Sequence, residues 1–307
     1  MKPDVKPAVA PWFQPKSKAQ LIVIVVLLLG AIVGLWVGGL AWLKVKSASL
    51  PPPVIQKATV LYEERKYDEA AGLLLGSIEQ IEKSYGPDSM YLVKPSDLLA
   101  TVYEGMNKHA EAEKVWRRAY DIRRKNLGAD HPESIGSGDK LGLCLIAEGK
   151  FAEAEPLLKK SLAHREVYFG DDNENIMKSL NHMAGLYLAQ KKYAEAQTHA
   201  ERAVKIGRSK IGLMPASYPD SQLKLAAALA GLEKYDDALP LYDAALKGKV
   251  KQLPEAAHIP PKPGQISHGD FADLCKEYAA VLRKAGKEKE AKEMESKAEE
   301  ILNPKKK

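Results

Sequence analysis

Pairs of apolar stripes alternate along most of this chain, and each stripe has the spacing of an amphipathic helix. In one representative stretch the first stripe is Leu99, Ala100 and Tyr103, and the second is Ala112, Trp116 and Ala119. Gly105 and Asn107 lie between them, where they favour the end of the first helix. The stretch therefore predicts a hairpin of two packed helices.

The hairpin pattern recurs every 42 residues. A lysine precedes each second stripe, at Lys66, Lys108, Lys150, Lys192 and Lys234, and an alanine follows four residues later, at Ala70, Ala112, Ala154, Ala196 and Ala238. A glycine repeats with the same period at Gly86, Gly128, Gly170 and Gly212. A fixed period in this range predicts a helical solenoid, in which small residues mark the places where helices cross closely.

The pattern predicts an all-α fold with about six hairpins over residues 54–303, followed by a basic tail at 304–307. The sixth unit is displaced by 11 residues, because Lys287 lies 53 residues after Lys234. Gly136, Ser137 and Gly138 are poor helix formers, so we expect an irregular start to the first helix of the third unit.

An uncharged segment of 23 residues, 21–43, precedes the repeats. As a helix it would be about 34 Å long, which is enough to cross a bilayer, and Trp36 and Trp42 suit the interface. The prediction is one transmembrane helix between a basic tail at 1–20 and a proline-rich linker at 44–53. A cleaved signal peptide is the alternative, although its apolar core is normally shorter.

Lysines flank the predicted span on both sides, and their distribution slightly favours an N-terminus inside and a solenoid on the extracytoplasmic side. The localisation expected is therefore a single-pass membrane protein. Gly30, Gly34 and Gly38 recur every four residues and form a smooth stripe. Such stripes let two membrane helices approach closely, which makes a homo-oligomer one expectation.

Charge is concentrated at the two ends of the chain. The net charge is +6, but residues 1–50 alone carry six lysines against one aspartate, and the chain ends in three lysines. The body between them is slightly acidic, so no nucleic-acid partner is expected. The two cysteines, Cys144 and Cys275, fall in first helices three units apart and are predicted to be buried and unbridged.

No catalytic or metal-binding constellation is apparent. The seven histidines include no HExxH pair, and Gly136 to Lys140 lack the spacing of a phosphate-binding loop. We therefore expect neither an enzyme nor a bound metal or cofactor.

The small residues at fixed positions of each unit resemble the tetratricopeptide repeat. The 42-residue form, with Leu127-Gly128-Ala129-Asp130-His131-Pro132 in one loop and Lys-Tyr-Ala-Glu-Ala at 192–196, is similar to the repeats of kinesin light chain. The resemblance implies that first helices line a concave groove. It places these side chains there: Lys94, Asp97, Thr101, Lys140, Lys178, Asn181, His182 and Lys224.

The resemblance implies a scaffold that binds peptide or helical segments of a protein partner, and the predicted span at 21–43 makes that scaffold membrane-anchored. The asparagine Asn181 stands where repeats of this type often place a peptide-binding asparagine. The lysines of the groove suit an acidic partner, although ordinary solvated lysines would look the same in sequence. The alternative is a structural subunit that assembles through its glycine stripe and the flanks of the solenoid.

Overall fold

The computed structural model describes residues 52–171, 173–209, 217–255 and 265–302. In these ranges the regular structure consists of twelve α-helices and one 3₁₀ turn at Met90–Leu92. The helices are α1 (Pro52–Glu63), α2 (Tyr67–Tyr85), α3 (Val93–Gly105), α4 (His109–Leu127), α5 (Pro132–Ala147), α6 (Phe151–Phe169), α7 (Glu174–Ala189), α8 (Tyr193–Ser209), α9 (Tyr218–Gly231), α10 (Tyr235–Val250), α11 (His268–Lys284) and α12 (Glu288–Leu302). The prediction of an all-helical solenoid of six hairpins is confirmed.

The predicted membrane segment 21–43, with its glycines Gly30, Gly34 and Gly38, lies outside the described residues, as do the tails 1–20 and 304–307. None of the helices that the structure describes has both the length and the apolar character that crossing a membrane requires. Helix α1 begins at Pro52, inside the segment 44–53 that was predicted to be an extended linker. Proline is compatible with the first turn of a helix, where its missing N–H has no helical partner.

The helices pack in the order in which they occur along the chain. From α2 to α12 each helix contacts the next. The first helix of the fourth unit, α7, also contacts the first helices α5 and α9 of the units on either side, whereas the second helices of neighbouring units make no comparable contacts within the described ranges. First helices therefore lie on the inside of the curve and line its concave face.

The residue before each periodic lysine ends a first helix in the left-handed conformation. These residues are Arg65, Asn107, Gly149, Lys191, Glu233 and Gly286, with φ between 57° and 75°. In the third unit Gly149 N–H donates to Ile146 O at 3.0 Å and Lys150 N–H donates to Leu145 O at 2.8 Å. This pair of bonds is the Schellman motif, and it turns every hairpin in the same way.

The periodic lysines also connect neighbouring hairpins. Lys150 pairs with Glu113 of the preceding unit, and Lys234 Nζ donates to Gln197 Oε1 at 3.4 Å. Glu113 and Gln197 occupy equivalent positions, two periods apart. The Lys150 ammonium and the Arg117 guanidinium together hold the pKa of the Glu113 carboxyl at about 2.

The periodic glycines end the second helices. Gly86, Gly128 and Gly170 have φ of 86°, 95° and 77° with ψ of 166°, 159° and 165°. This region of backbone space is essentially restricted to glycine. Gly212 lies outside the described residues.

Small residues occupy the closest helix crossings. All five periodic alanines are 0% exposed. In the third unit a Cβ added to Gly142 would lie 3.0 Å from Leu158 Cδ2 and 3.6 Å from the backbone oxygen of Ala154. The two helices of that hairpin therefore meet at a distance that leaves no room for a larger side chain at this position.

The predicted irregular start of the third unit is wrong, since α5 runs without a break from Pro132. The imidazole Nδ1 of His131 accepts a hydrogen bond from Glu133 N–H at 3.2 Å and caps the helix. A Cβ on Gly138 would lie 3.3 Å from the ring of Tyr120, so the small residue makes room for a packed aromatic side chain. Tertiary packing therefore outweighs the low helix propensity of this stretch.

Both cysteines are buried and free, as predicted. Burial raises the pKa of the Cys144 thiol to about 12, so it behaves as a small apolar side chain. Across the displaced sixth unit, Tyr242 and Tyr278 stack with centroids 5.0 Å apart. Tyr242 Oη donates to Glu277 and Tyr278 Oη donates to Asp243, both at 3.0 Å, so contacts between the fifth and sixth units persist despite the insertion.

Two glycine substitutions should have opposite effects on stability. Gly128→Ala forces a Cβ into a backbone conformation that alanine avoids, and should lower the free energy of unfolding by about 1–3 kcal/mol. Gly136→Ala lies within α5 with nothing within 4 Å of the added Cβ, and should raise it by about 0.5–1 kcal/mol. Urea unfolding of the full-length chain, followed by circular dichroism, measures both; equal effects would contradict the assigned turn.

Candidate functional site

A concave cavity of about 650 Å³ lies on the first helices of the second, third and fourth units. It brings together four of the eight predicted groove residues, Lys94, Asp97, Lys140 and His182. Thr101 lines an adjoining cavity of about 400 Å³, which shares Lys140 and Leu143 with the first. The two cavities therefore form one continuous surface along the inside of the array, and we call it the groove.

The floor of the groove contains a buried arginine that sequence inspection missed. Arg123 extends from the second helix α4, and its two terminal nitrogens donate to the carboxylate of Asp97 at 2.9 and 2.6 Å. The same guanidinium donates to Ser137 Oγ at 2.9 Å. One side chain thus links the two helices of the second unit to the first helix of the third.

The same arrangement recurs one period later. Arg165 lies 2.7 Å from Asp139 and donates to Ser179. Burial alone would raise the pKa of the Asp139 carboxyl, but His182, Arg165 and Ser161 outweigh burial and hold that pKa below its ordinary value. The groove floor therefore carries two repeats of one arginine–aspartate–serine unit.

A third repeat of this unit is absent. The equivalent positions are Gly207 for the arginine, Asn181 for the aspartate and Ser221 for the serine. A Cβ on Gly207 would lie 2.1 Å from Tyr218 Cδ2, so the tyrosine ring occupies the space of the missing side chain. With no guanidinium to pair with, a neutral asparagine replaces the carboxylate, which avoids an unpaired buried charge.

The remaining predicted groove residues differ in exposure. Asn181 is only 8% exposed, and its Oδ1 is buried without a hydrogen-bond partner among the described residues. Thr101 Oγ1 donates to the backbone oxygen of Asp97 at 2.9 Å. Lys178 is exposed, and Lys224 is half-buried against Gly185. The structure thus places Lys178 and Lys224 beyond the cavity that holds Lys140 and His182.

Lysines are the exposed cationic side chains along the first helices that form the groove. Lys140 Nζ lies 4.7 Å from the centroid of the Trp116 ring and 3.8 Å from Asp97. Lys94, Lys178 and Lys224 form no ion pair with any residue that the structure describes. Each floor aspartate is paired with an arginine. The carboxylates of Glu104 and Glu133 also line the groove, so the lysines are the cationic groups, but not the only charged groups, that a bound molecule would meet.

The two arginines could have been found in the sequence. Arg123 and Arg165 are 42 residues apart, as are Asp97 and Asp139, and Ser137 and Ser179. An arginine, an aspartate and a serine that each recur after 42 residues are the sequence signal for this polar unit. The two arginines lie in second helices, whereas groove residues were expected from first helices alone. No group of His, Cys, Asp or Glu that could hold a metal ion occurs among the described residues.

The chain itself suggests how the buried ion pair can be removed. Arg165→Met leaves Asp139 buried and unpaired, and should cost about 3–5 kcal/mol in the free energy of unfolding. Adding Asp139→Asn reproduces the neutral arrangement found one period later, where Asn181 stands without an arginine, and should recover at least half of that loss. A double-mutant cycle in urea measures the coupling; additive losses would show that the two side chains do not form the pair described.

Comparisons with known proteins agree with this architecture. Residues 54–125 and 136–209 match the family model of the tetratricopeptide repeat, whereas no curated protein matches the chain. Among solved structures, the kinesin light chain TPR-like repeats of Podosopora anserina share 22% identity at a TM-score of 0.56, covering 65% of this chain and 94% of that one.

Two further structures show the same fold. BtubC (BKLC) from P. vanneervenii has 19% identity and a TM-score of 0.54, covering 63% of this chain and 77% of that one. The quorum sensor NprR from B. thuringiensis, in its apo form, has 15% identity and a TM-score of 0.51, covering 81% and 75%. Residues 54–125 and 136–209 thus match the tetratricopeptide repeat model, and the all-helical solenoid is structurally similar to the solved kinesin light chain TPR-like repeats.

Proposed function

We propose that this chain is a membrane-anchored interaction scaffold whose groove binds an acidic segment of a partner protein. The tetratricopeptide fold is typical of protein–protein interaction scaffolds. The observation that carries the proposal is that Lys94, Lys178 and Lys224 have no ion-pair partner among the described residues, along a groove whose floor aspartates are already paired with arginines. A carboxylate-rich segment is the partner that such a surface recognises.

The ends of this chain are poor occupants of its own groove. Residues 1–50 carry six lysines against one aspartate, and the last three residues are all lysine. Like charges would repel these segments from Lys94, Lys140, Lys178 and Lys224. The proposed occupant is therefore a separate polypeptide.

Membrane anchoring is part of this proposal and rests on the sequence of 21–43, whose length and lack of charge suit a single span. The proposed orientation has the N-terminus inside and the solenoid on the extracytoplasmic side, as the lysine distribution favours. The alternative function is that of an assembly subunit that oligomerises through Gly30, Gly34 and Gly38, with an idle groove.

The proposal is tested by binding of labelled 15-residue peptides to the full-length chain in detergent micelles. One peptide carries six glutamates, one six lysines and one no charge. The acidic peptide should bind best, and Lys94→Glu with Lys140→Glu should weaken it at least about tenfold, because two attractive charges become repulsive. Fluorescence anisotropy at low and at physiological salt measures the affinity, which should fall as salt rises.

The matched control is Lys205→Glu with Lys247→Glu, which makes the same charge change at exposed sites on second helices. This control should retain most of the affinity. Equal loss in both double variants would mean that net charge, not the groove, attracts the peptide. No preference for the acidic peptide would contradict the proposal and leave assembly as the better account.

A further inference from the structure

We infer that the partner segment is an extended chain with acidic side chains at every third residue, which pair in turn with Lys140, His182 and Lys224. This inference rests on the proposed function and states how the acidic residues of the proposed ligand are spaced. The three groups lie at one repeat position, exactly one period apart, in the first helices α5, α7 and α9. They therefore form a column that runs along the groove from the third unit to the fifth.

Contacts in the structure keep neighbouring members of this column close to one another. Lys140 and His182 line the same cavity. Gly185 lies one helical turn after His182, and a Cβ added there would be 3.7 Å from Lys224 Nζ. The ammonium group of Lys224 thus lies against α7, one helical turn from the backbone position of His182.

Lys140 and His182 both lie beside fixed neighbours, and both side chains remain partly exposed to solvent. Lys140 lies between the Trp116 ring and Asp97, and its side chain remains 52% exposed. The buried Nδ1 of His182 lies 3.8 Å from Asp139 Oδ1, and its side chain remains 26% exposed. Asp139 is also paired with Arg165, so its carboxylate is not left for His182 alone.

The spacing of the column selects the conformation of the occupant. First helices in contact lie about 8–10 Å apart. In a polyproline II helix, residues i and i+3 lie on the same face about 9.3 Å apart. Residues on one face of a β-strand are instead about 6.7 Å or about 13 Å apart. Polyproline II is therefore the extended conformation that matches all three groups at once.

An α-helical occupant would need a longer peptide to contact the same three side chains. Residues i and i+7 of a helix are about 10.5 Å apart, so three contacts require about 15 residues. Free helices of that length are marginal in water and would have to form on binding. A polyproline II segment covers the same distance with seven residues and is already populated in the free state.

The test compares peptides that carry three glutamates at different spacings, bound to the full-length chain in detergent. Each ten-residue peptide contains three glutamates in a proline- and glutamine-rich host. The glutamates are at positions 1, 4 and 7, at positions 1, 3 and 5, or adjacent. A fifteen-residue alanine-rich peptide with glutamates at 1, 8 and 15 represents the helical occupant.

The 1, 4, 7 peptide should bind at least about tenfold more tightly than the other three, since only it matches all three contacts. Lys140→Gln with Lys224→Gln should abolish this preference, and Lys205→Gln, an exposed lysine on a second helix, should preserve it. Circular dichroism verifies that each variant is folded.

Equal binding of all four peptides, each weakened by the groove substitutions, would overturn the spacing inference and leave the proposed function intact. Tighter binding of the alanine-rich peptide would overturn it in favour of a helical occupant. If no acidic peptide bound in a way that depended on the groove, both the inference and the proposed function would be overturned.

Discussion

The close crossing of helices at alanine and glycine is the constraint on which this molecule depends. A single hairpin cannot bury its apolar faces alone, so each unit is stable only when it packs against its neighbours. That packing requires short distances, and all five periodic alanines are fully buried. Repeating the same crossing at the same interval also repeats the geometry between units, and this regularity curves the array and forms a groove.

Polar groups follow the same periodic geometry as the apolar ones. The Arg123–Asp97 and Arg165–Asp139 pairs are equivalent by one period, and each is completed by a serine from the next unit. Pairs of this kind contribute little net stability, because removing both charges from water is costly. Their consequence lies in the groove, where the floor aspartates are neutralised and Lys94, Lys178 and Lys224 have no ion-pair partner among the described residues.

The repeat pattern in the sequence was sufficient to predict the helical solenoid, the six hairpins and the buried, unbridged cysteines. It was insufficient where an outcome depends on contacts between units. Helix α5 is regular although Gly136 and Gly138 disfavour it, because the His131 cap and packing against Tyr120 stabilise it. Arg123 and Arg165 reach the groove from second helices, a direction that no single-helix pattern reveals. Asn181, expected in the groove, is almost wholly buried.

The central claim is that alanine-sized residues at the crossings hold the units together. It is tested most directly by the free energy of unfolding of Ala154→Arg against that of Ala152→Arg. Ala154 is fully buried, and Ala152 lies two residues away on the exposed face of the same helix. The account predicts a loss of at least about 3 kcal/mol for the first and less than about 0.5 kcal/mol for the second. Equal, small losses for both would contradict it.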